Sequence, residues 1–168
     1  MPAVFLISDT HFGHANCLKF TDETGQRIRP EFTTCEEMDE AMIERWNSTV
    51  KDGDIVYHLG DVYFEHGHKA LPKLKGRKRL ILGNHDNGKA SYIQVNFQKV
   101  LMWRMFPEFG LLLTHVPVHE STLQRGDITL KNVHGHIHQR KLEDSRYHNV
   151  SVERINYTPV HIEDLRIL

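Results

Sequence analysis

Only 2 cysteines occur in the 168 residues, Cys17 and Cys35, and their separation makes no CxxC motif. That excludes a zinc ribbon and a thioredoxin-type redox site. One disulfide is formally open, but so few thiols fit a reduced, cytoplasmic protein better. Long apolar runs are missing as well. Nothing approaches the roughly 20 apolar residues that cross a bilayer. Met1-Pro2 leads straight into AVFLISD, with no basic stretch followed by an apolar one. Neither sign of charge dominates: 21 Lys+Arg face 22 Asp+Glu, a formal net charge of -1. No whole-surface pull toward nucleic acid or anionic membrane is expected from that balance. There is no GxSxG elbow and no P-loop glycine pattern, so neither a serine nucleophile of that type nor a Walker-type phosphate cradle is indicated. Repeats, low-complexity tracts and linkers are also lacking, and the length fits a single domain over 1–168.

What the chain has in excess is histidine, 13 in all, three of them in the stretch VHGHIHQ as His134, His136 and His138. Alternate residues of an extended segment point the same way, and neutral imidazole is the commonest protein metal ligand. The stretch therefore raises a metal site as a question for the rest of the chain.

Short apolar runs recur: AVFLI at 3–7, DIVYHL at 54–59, RLIL at 79–82 and FGLLLTH at 109–115. Each is brief, branched or aromatic, and punctuated by Gly or Asp, the pattern of buried strands. Between the first two, Thr34 and Glu37 have capping-box spacing. Met38, Ala41, Met42, Trp46 and Val50 follow at helical spacing up to Asp52-Gly53. That stripe reads as core, not as a partner surface. A second helix is expected over 66–74, before Gly76. QKVLMWRMF and FGLLLTH, joined by PEFG-like turn chemistry, predict an antiparallel hairpin, and HNVSVER at 148–154 a further strand. Strand–helix–strand–helix–strand followed by hairpins is an α/β order with mixed sheets.

Every predicted strand delivers ligand-type residues at its carboxyl end. AVFLIS runs into Asp9-Thr10-His11, DIVYHLG into Asp61, RLILG into Asn84-His85-Asp86, FGLLLT into His115, and KNVHG into His136 and His138. That edge of an α/β sheet is where sites are built. Turn chemistry alone explains any one of these motifs, but not the whole set at strand ends. Two Asp, one Asn and four His offer oxygen and nitrogen donors without thiolate. One divalent ion uses fewer donors than this; seven point to two ions sharing a carboxylate. The donor types suit Mn, Fe, Zn, Ni or Co better than Ca, with manganese taken first.

The order DTH (9–11), GD (60–61), GNHD (83–86), TH (114–115) and GHIH (135–138) resembles the calcineurin-like metallophosphoesterase family, and the motifs span nearly the whole chain. SDTHFGH, WNSTVKDGDIVYHLGD and NVSVE–YTPV look like its small cap-less bacterial or phage members. The resemblance implies two mixed β-sheets packed as a sandwich flanked by helices, a four-layer α/β/β/α fold. It implies one metal held by Asp9, His11, Asp61 and His138, and another by Asp61, Asn84, His115 and His136, with Asp61 bridging. His85 would be the general acid and Asp86 its orienter. Many phosphatase members read GDxxD, where this chain has Phe64 in the last position, which argues against the protein-phosphatase branch. The implied reaction is hydrolysis of a phosphate ester. Two cations neutralise the ester and lower the pKa of a shared water toward 7; the hydroxide attacks in line, and an imidazole protonates the departing alkoxide. A small phosphodiester or cyclic phosphodiester is the favoured substrate. Cleavage of DNA or RNA is the alternative, and a catalytically silent metal-binding scaffold of the same fold another; no membrane and no obligatory protein partner is indicated.

Several histidines stand outside this set. His134 and His58 read as hydrogen-bonded structural residues, and His66 and His68 as a solvated helix start despite their HxH spacing. His14, in the loop beside DTH, either touches substrate or caps the next helix, and Asn16 shares that ambiguity. KLKGRKR at 73–79 reads as a solvated turn before a strand.

Overall fold

Alternation of side chains along the strands decides the layering. The computed structural model describes residues 1–166. Strand β1 (Val4–Ile7) pairs in parallel with β2 (Ile55–His58), β2 with β3 (Arg77–Ile81), and β3 with β4 (Lys99–Leu101). A short antiparallel strand near the C-terminal end, Val160–His161, completes this five-stranded sheet beside β1. The second sheet begins with β5 (Arg104–Phe106), antiparallel to β6 (Leu111–Leu113). Beyond two residue-pair strands, β7 (Gln124–Arg125) and β8 (Ile128–Thr129), come β9 (Lys131–His134), parallel to β6, and β10 (Tyr147–Asn149), parallel to β9. The Val160–His161 strand is β11 in chain order. Both sheets are mixed, and they pack face to face.

Leu6, Tyr57 and Ile81 from one sheet meet Phe106, Leu111, Leu113 and Val133 from the other in the buried middle layer. Their neighbours Phe5, Ile7, Val56 and Leu80 point the opposite way, onto helix α1 (Cys35–Thr49). Met38, Met42 and Trp46 supply the matching face, and Trp46 Nε1–H donates to Lys75 O at 2.9 Å. On the far side of the second sheet, Leu112 is covered by Leu123 and Leu130. The outer layer there is thin: a 3₁₀ turn at Glu120–Thr122 and the β7–β8 hairpin. The architecture is the expected two-sheet α/β sandwich with helices. Among the described residues no helix is long and apolar enough to cross a membrane.

The helix cap follows the sequence signal with one change. Thr34 Oγ1 accepts the Glu37 N–H at 3.1 Å, but the Glu37 carboxylate reaches back to the Thr33 N–H at 2.9 Å, one residue earlier than a capping box. Four other readings are corrected. The helix expected over 66–74 is a 3₁₀ helix, Glu65–Lys73, containing Pro72; proline has no N–H to continue an α-helical ladder. The helix α2 (Ser91–Asn96) was not expected, since six residues with one buried apolar side chain, Ile93, carry no periodic signal. QKVLMWRMF is not one strand. Its first half is β4 of one sheet and its second half β5 of the other, with Met102 and Trp103 exposed at the corner between them. The hairpin turn then ends at Gly110, whose φ of 66° suits glycine. HNVSVER is strand only to Asn149; Ser151 bridges to Ser8, and Val152–Arg154 is a 3₁₀ turn.

Thr34→Ala removes the cap acceptor of α1 and should cost about 1 kcal/mol, lowering the melting temperature by roughly 2–4 °C for a chain of this size. Calorimetry of the two proteins is the measurement, and an unchanged transition would assign the cap no net contribution.

Candidate metal centre

The strands of both sheets stop at one edge, and the backbone there is unusual. Asp9, His11, Asp61, His136 and His138 all take left-handed φ, between 50° and 70°. For a non-glycine residue that costs on the order of 1–3 kcal/mol, so surrounding bonds must hold it. Asp9 N–H donates to Gly60 O at 3.0 Å, His11 N–H to Asp61 O at 3.1 Å, and His136 N–H to Asp9 Oδ2 at 2.9 Å. The GHIH segment is accordingly a turn beyond β9 rather than a strand, and its two rings diverge. A Cβ at Gly135 would collide with Ser8 Oγ and Asp9 Oδ2, which explains the glycine between His134 and His136.

Two groups of ligand-type atoms that include a carboxylate result, Asp9 with His11 and His138, and Asp61 with His115 and His136; His14 and Cys17 form a third group with His11. Asp9 Oδ1 lies 3.8 Å from His11 Nε2 and 3.9 Å from His138 Nε2. Asp61 Oδ2 lies between the groups, 3.7 Å from His11 Nε2 and 3.4 Å from His115 Nε2. Asn84 Oδ1 is 2.8 Å from His115 Nε2 and 3.0 Å from His136 Nδ1. All seven residues singled out as ligands thus come together.

Their hydrogen bonding fits cations. Asp9 Oδ1 and His11 Nε2 are buried without any hydrogen-bond partner, an arrangement that proteins rarely leave unfilled. His115 Nδ1–H donates to Leu59 O at 2.7 Å, and its Nε2 also faces acceptors, Asn84 Oδ1 and Asp61 Oδ2. A ring bounded by acceptors on both sides must carry a second proton or a cation. Consistently, burial lowers the affinity of His115 for a proton, but the neighbouring Asp61 and Asp9 more than reverse this. His138 repeats the pattern: Glu153 Oε1 takes Nδ1–H at 3.1 Å and leaves Nε2 facing Asp9. Such partners fix the tautomer of a ligating histidine. Asp9 itself is held well below the usual carboxylate range; burial opposes this, but the neighbouring His11 ring and the fields of His138 and His115 prevail.

Three supporting groups were not among the residues singled out in the sequence. Arg29, fully buried, donates from Nη2 to Asp9 O at 2.7 Å and from Nη1 to Thr10 O at 3.0 Å, and pairs with Glu153 at 2.9 Å. Ser151 Oγ–H donates to Asp9 Oδ2 at 2.9 Å, which leaves Oδ1 as the free oxygen. Glu153 lies within NVSVE, but no spacing links it to Arg29 or His138. Asp86 has a different task from the one expected. Its two oxygens accept the N–H groups of Asp61 (2.9 Å), Val62 (3.0 Å) and Gly83 (2.8 Å), and so are turned to backbone rather than to the His85 ring.

His85 is exposed at the mouth of the site, its N–H donating to Asp61 Oδ1 at 3.0 Å and its ring 6.1 Å from that of His11. Phe64, the departure from GDxxD, stacks on His14 at 4.1 Å and on His11 at 5.1 Å, and tilts against His85 at 5.2 Å. His14 precedes the 3₁₀ turn Ala15–Leu18 but makes no side-chain cap bond; its Nδ1 is 3.3 Å from both His11 Nδ1 and Cys17 Sγ. Burial pushes the Cys17 thiol up to about 11, so it stays protonated. Asn16 is exposed on the same turn. Three further histidines, His58, His134 and His68, are placed by contacts away from the donor groups. His58 donates from Nε2 to Thr10 Oγ1 at 2.9 Å and accepts Gly60 N–H at Nδ1, and burial lowers its pKa to about 4. His134 is buried and donates to Gly135 O, and His68 stacks on Tyr92. The KLKGRKR run is more embedded than expected, with Lys78 buried and bonded to Leu74 O at 2.8 Å.

Comparison with known proteins agrees with this geometry. The family model for calcineurin-like phosphoesterases matches residues 3–164. An uncharacterized protein of Methanocaldococcus jannaschii is 33% identical over 97% of this chain and 89% of its own length. The Gene 66 protein of Mycobacterium phage D29 is 28% identical, over 83% of this chain and 80% of that one. A crystal structure of a protein of unknown function from Aquifex aeolicus shares the fold, with a TM-score of 0.74, 24% identity and 98% of each chain covered. With a match over almost all its length and donor atoms gathered in two groups at one sheet edge, the chain belongs to the calcineurin-like phosphoesterase family.

Proposed function

We propose that the protein is a dinuclear metal-dependent phosphodiesterase of the cytoplasm. The observation that carries this is the position of Asp61 Oδ2, within 3.7 Å of His11 Nε2 and 3.4 Å of His115 Nε2, between two donor groups. Asp9, His11, Asp61 and His138 would hold one divalent ion, and Asp61, Asn84, His115 and His136 the other. Manganese is the first choice, because the donors are oxygen and imidazole nitrogen. When bound, the two ions neutralise the ester and supply an activated water.

The chain's own groups do the rest. Arg29 and Glu153 hold the Asp9 backbone and the His138 ring, and Asp86 holds the turn that carries Asp61. His85, exposed beside Asp61, gives a ring proton to the leaving oxygen as its bond to phosphorus breaks. His14 and Asn16 line the same approach and contact substrate. Asn84 and His85 are exposed, and this open access supports a diester, with a substituent on each side of phosphorus, over a small enclosed monoester. Two free thiols, Cys17 and Cys35, support a reducing compartment.

The test is hydrolysis of bis-p-nitrophenyl phosphate and of phosphate monoesters by protein loaded in turn with Mn, Ni, Zn, Fe and Mg. Diester turnover that appears with metal and vanishes on chelation is expected; inertness with every ion would sink the reading.

Asp61→Asn should lower metal content as well as turnover, because one carboxylate oxygen serves both donor groups. Metal analysis after dialysis reads this, and two retained ions with normal activity would remove Asp61 from the bridging place. His85→Ala should keep both ions and lose roughly 10²–10⁴ in kcat. The loss should be greater on alkyl diesters than on p-nitrophenyl esters, whose leaving group departs without a proton. Equal losses with unchanged metal content would make His85 a charge-stabilising group instead.

A further inference from the structure

Two cavities meet at Trp103. The first, about 620 Å³, starts at Asn84 and His115 and is walled by Leu82, Met102, Val116 and Trp103. The second, about 510 Å³, lies across Trp103 and is lined by Arg79, Lys99, Arg104 and Tyr57. The indole thus separates an apolar recess at the metal centre from a recess with three cationic side chains.

The Trp103 and Met102 side chains take no part in the core. Trp103 is 53% exposed and Met102 69%, at the corner where the chain leaves one sheet for the other. Trp46, by contrast, is buried in the core. Among the described residues, the ion pairs formed by arginine involve Arg29, Arg45, Arg146 and Arg166, and none involves Arg79, Lys99 or Arg104. Arg79 Nη1–H donates to Tyr57 Oη at 2.7 Å, while its Nε is buried with no partner. The chain as a whole carries a formal net charge of -1, so this unpaired cationic cluster is a local feature. An apolar slot floored by an exposed aromatic, next to uncompensated cations, is the combination that holds single-stranded nucleic acid: bases stack, and backbone phosphates meet positive charge. The slot is a recess, which takes an unstacked base; the bases of a duplex are paired and stacked away from such contact.

We infer that the surface running from the metal centre over Trp103 to Arg104, Lys99 and Arg79 is a subsite for a single-stranded oligonucleotide. The scissile phosphodiester lies at the metal centre, a neighbouring base packs on Trp103, and a further phosphate enters the cationic recess. As a substrate assignment this rests on the phosphodiesterase reading above, whereas the binding path stands on the Trp103 and cationic side chains themselves.

Binding is read by anisotropy of a fluorescein-labelled dodecamer of thymidylate, in chelator to prevent cleavage and again with Mn. Trp103→Ala should weaken binding by roughly 5- to 150-fold, the range for removing one base–aromatic stack. The double variant Lys99→Ala, Arg104→Ala should also bind more weakly. Its log–log salt slope should fall by about 0.7, the change for one single-strand phosphate that is no longer neutralised. All three side chains are exposed, and an unchanged melting temperature will show that the fold is kept. Binding that ignores both variants, a loss confined to the cationic pair with Trp103→Ala silent, or equal affinity for a duplex overturns the subsite. If bis-p-nitrophenyl phosphate is still hydrolysed in that case, the phosphodiesterase reading survives. Strand binding sensitive to both variants, with no ester hydrolysed under any metal, supports the binding path and overturns the phosphodiesterase.

Discussion

Left-handed backbone at the strand ends is the constraint on which the rest of the site depends. Five non-glycine residues, Asp9, His11, Asp61, His136 and His138, share it. At about 1–3 kcal/mol each, their combined strain is comparable with the net stability of an ordinary domain. It persists because each turn is tied to another strand's turn: Asp9 to Gly60, His11 to Asp61, His136 to Asp9. The same bonds that hold the strain also aim the carboxylates and rings at common points. Strain and site geometry are therefore one feature of the fold.

Behind these turns lies a buried polar layer whose charges close on one another. Arg29 and Glu153 form a desolvated ion pair, and a pair of that kind adds little by itself. Its value here is directional. Arg29 takes up the Asp9 and Thr10 carbonyls, and Glu153 takes the outer nitrogen of His138. Removing either partner would leave a buried charge as well as a loosened donor. Asp86 does similar work for the other group, committing both oxygens to the backbone of Asp61, Val62 and Gly83. A motif residue next to His85 thus holds the turn that carries Asp61.

Phe64 shows how a departure from a family pattern acquires a role. An aromatic ring in that place cannot accept hydrogen bonds, but it can pack three imidazoles, those of His11, His14 and His85. It narrows one side of the site with apolar surface. On the other side, the split of QKVLMWRMF between two sheets exposes Trp103 beside Asn84 and His115. The metal-binding edge thereby sits between two aromatic walls of different origin.

Local chemistry was readable from the chain alone wherever it depended on neighbours in sequence. The α1 cap at Thr34, the Met38–Trp46 stripe, the buried strands and the seven ligand-type residues at strand ends all obey short-range rules of periodicity and turn chemistry. His58 and His134 are hydrogen-bonded inside the fold, as the strand pattern around His58 and the place of His134 before the glycine indicated. Other features needed the tertiary structure. Arg29 and Glu153 meet across 124 positions, and no spacing encodes that pairing. Which half of residues 98–106 joins which sheet depends on the open edges offered by β3 and β6, not on the residues' own β-propensity. The turn at 135–138 alternates like a strand in sequence, yet it bends because His136 N–H finds Asp9 Oδ2. Residue types and their order thus determined the kind of donors this protein carries. Only long-range hydrogen bonding and sheet packing decided where those donors point, because a side chain's direction is set by backbone angles that distant partners hold in place.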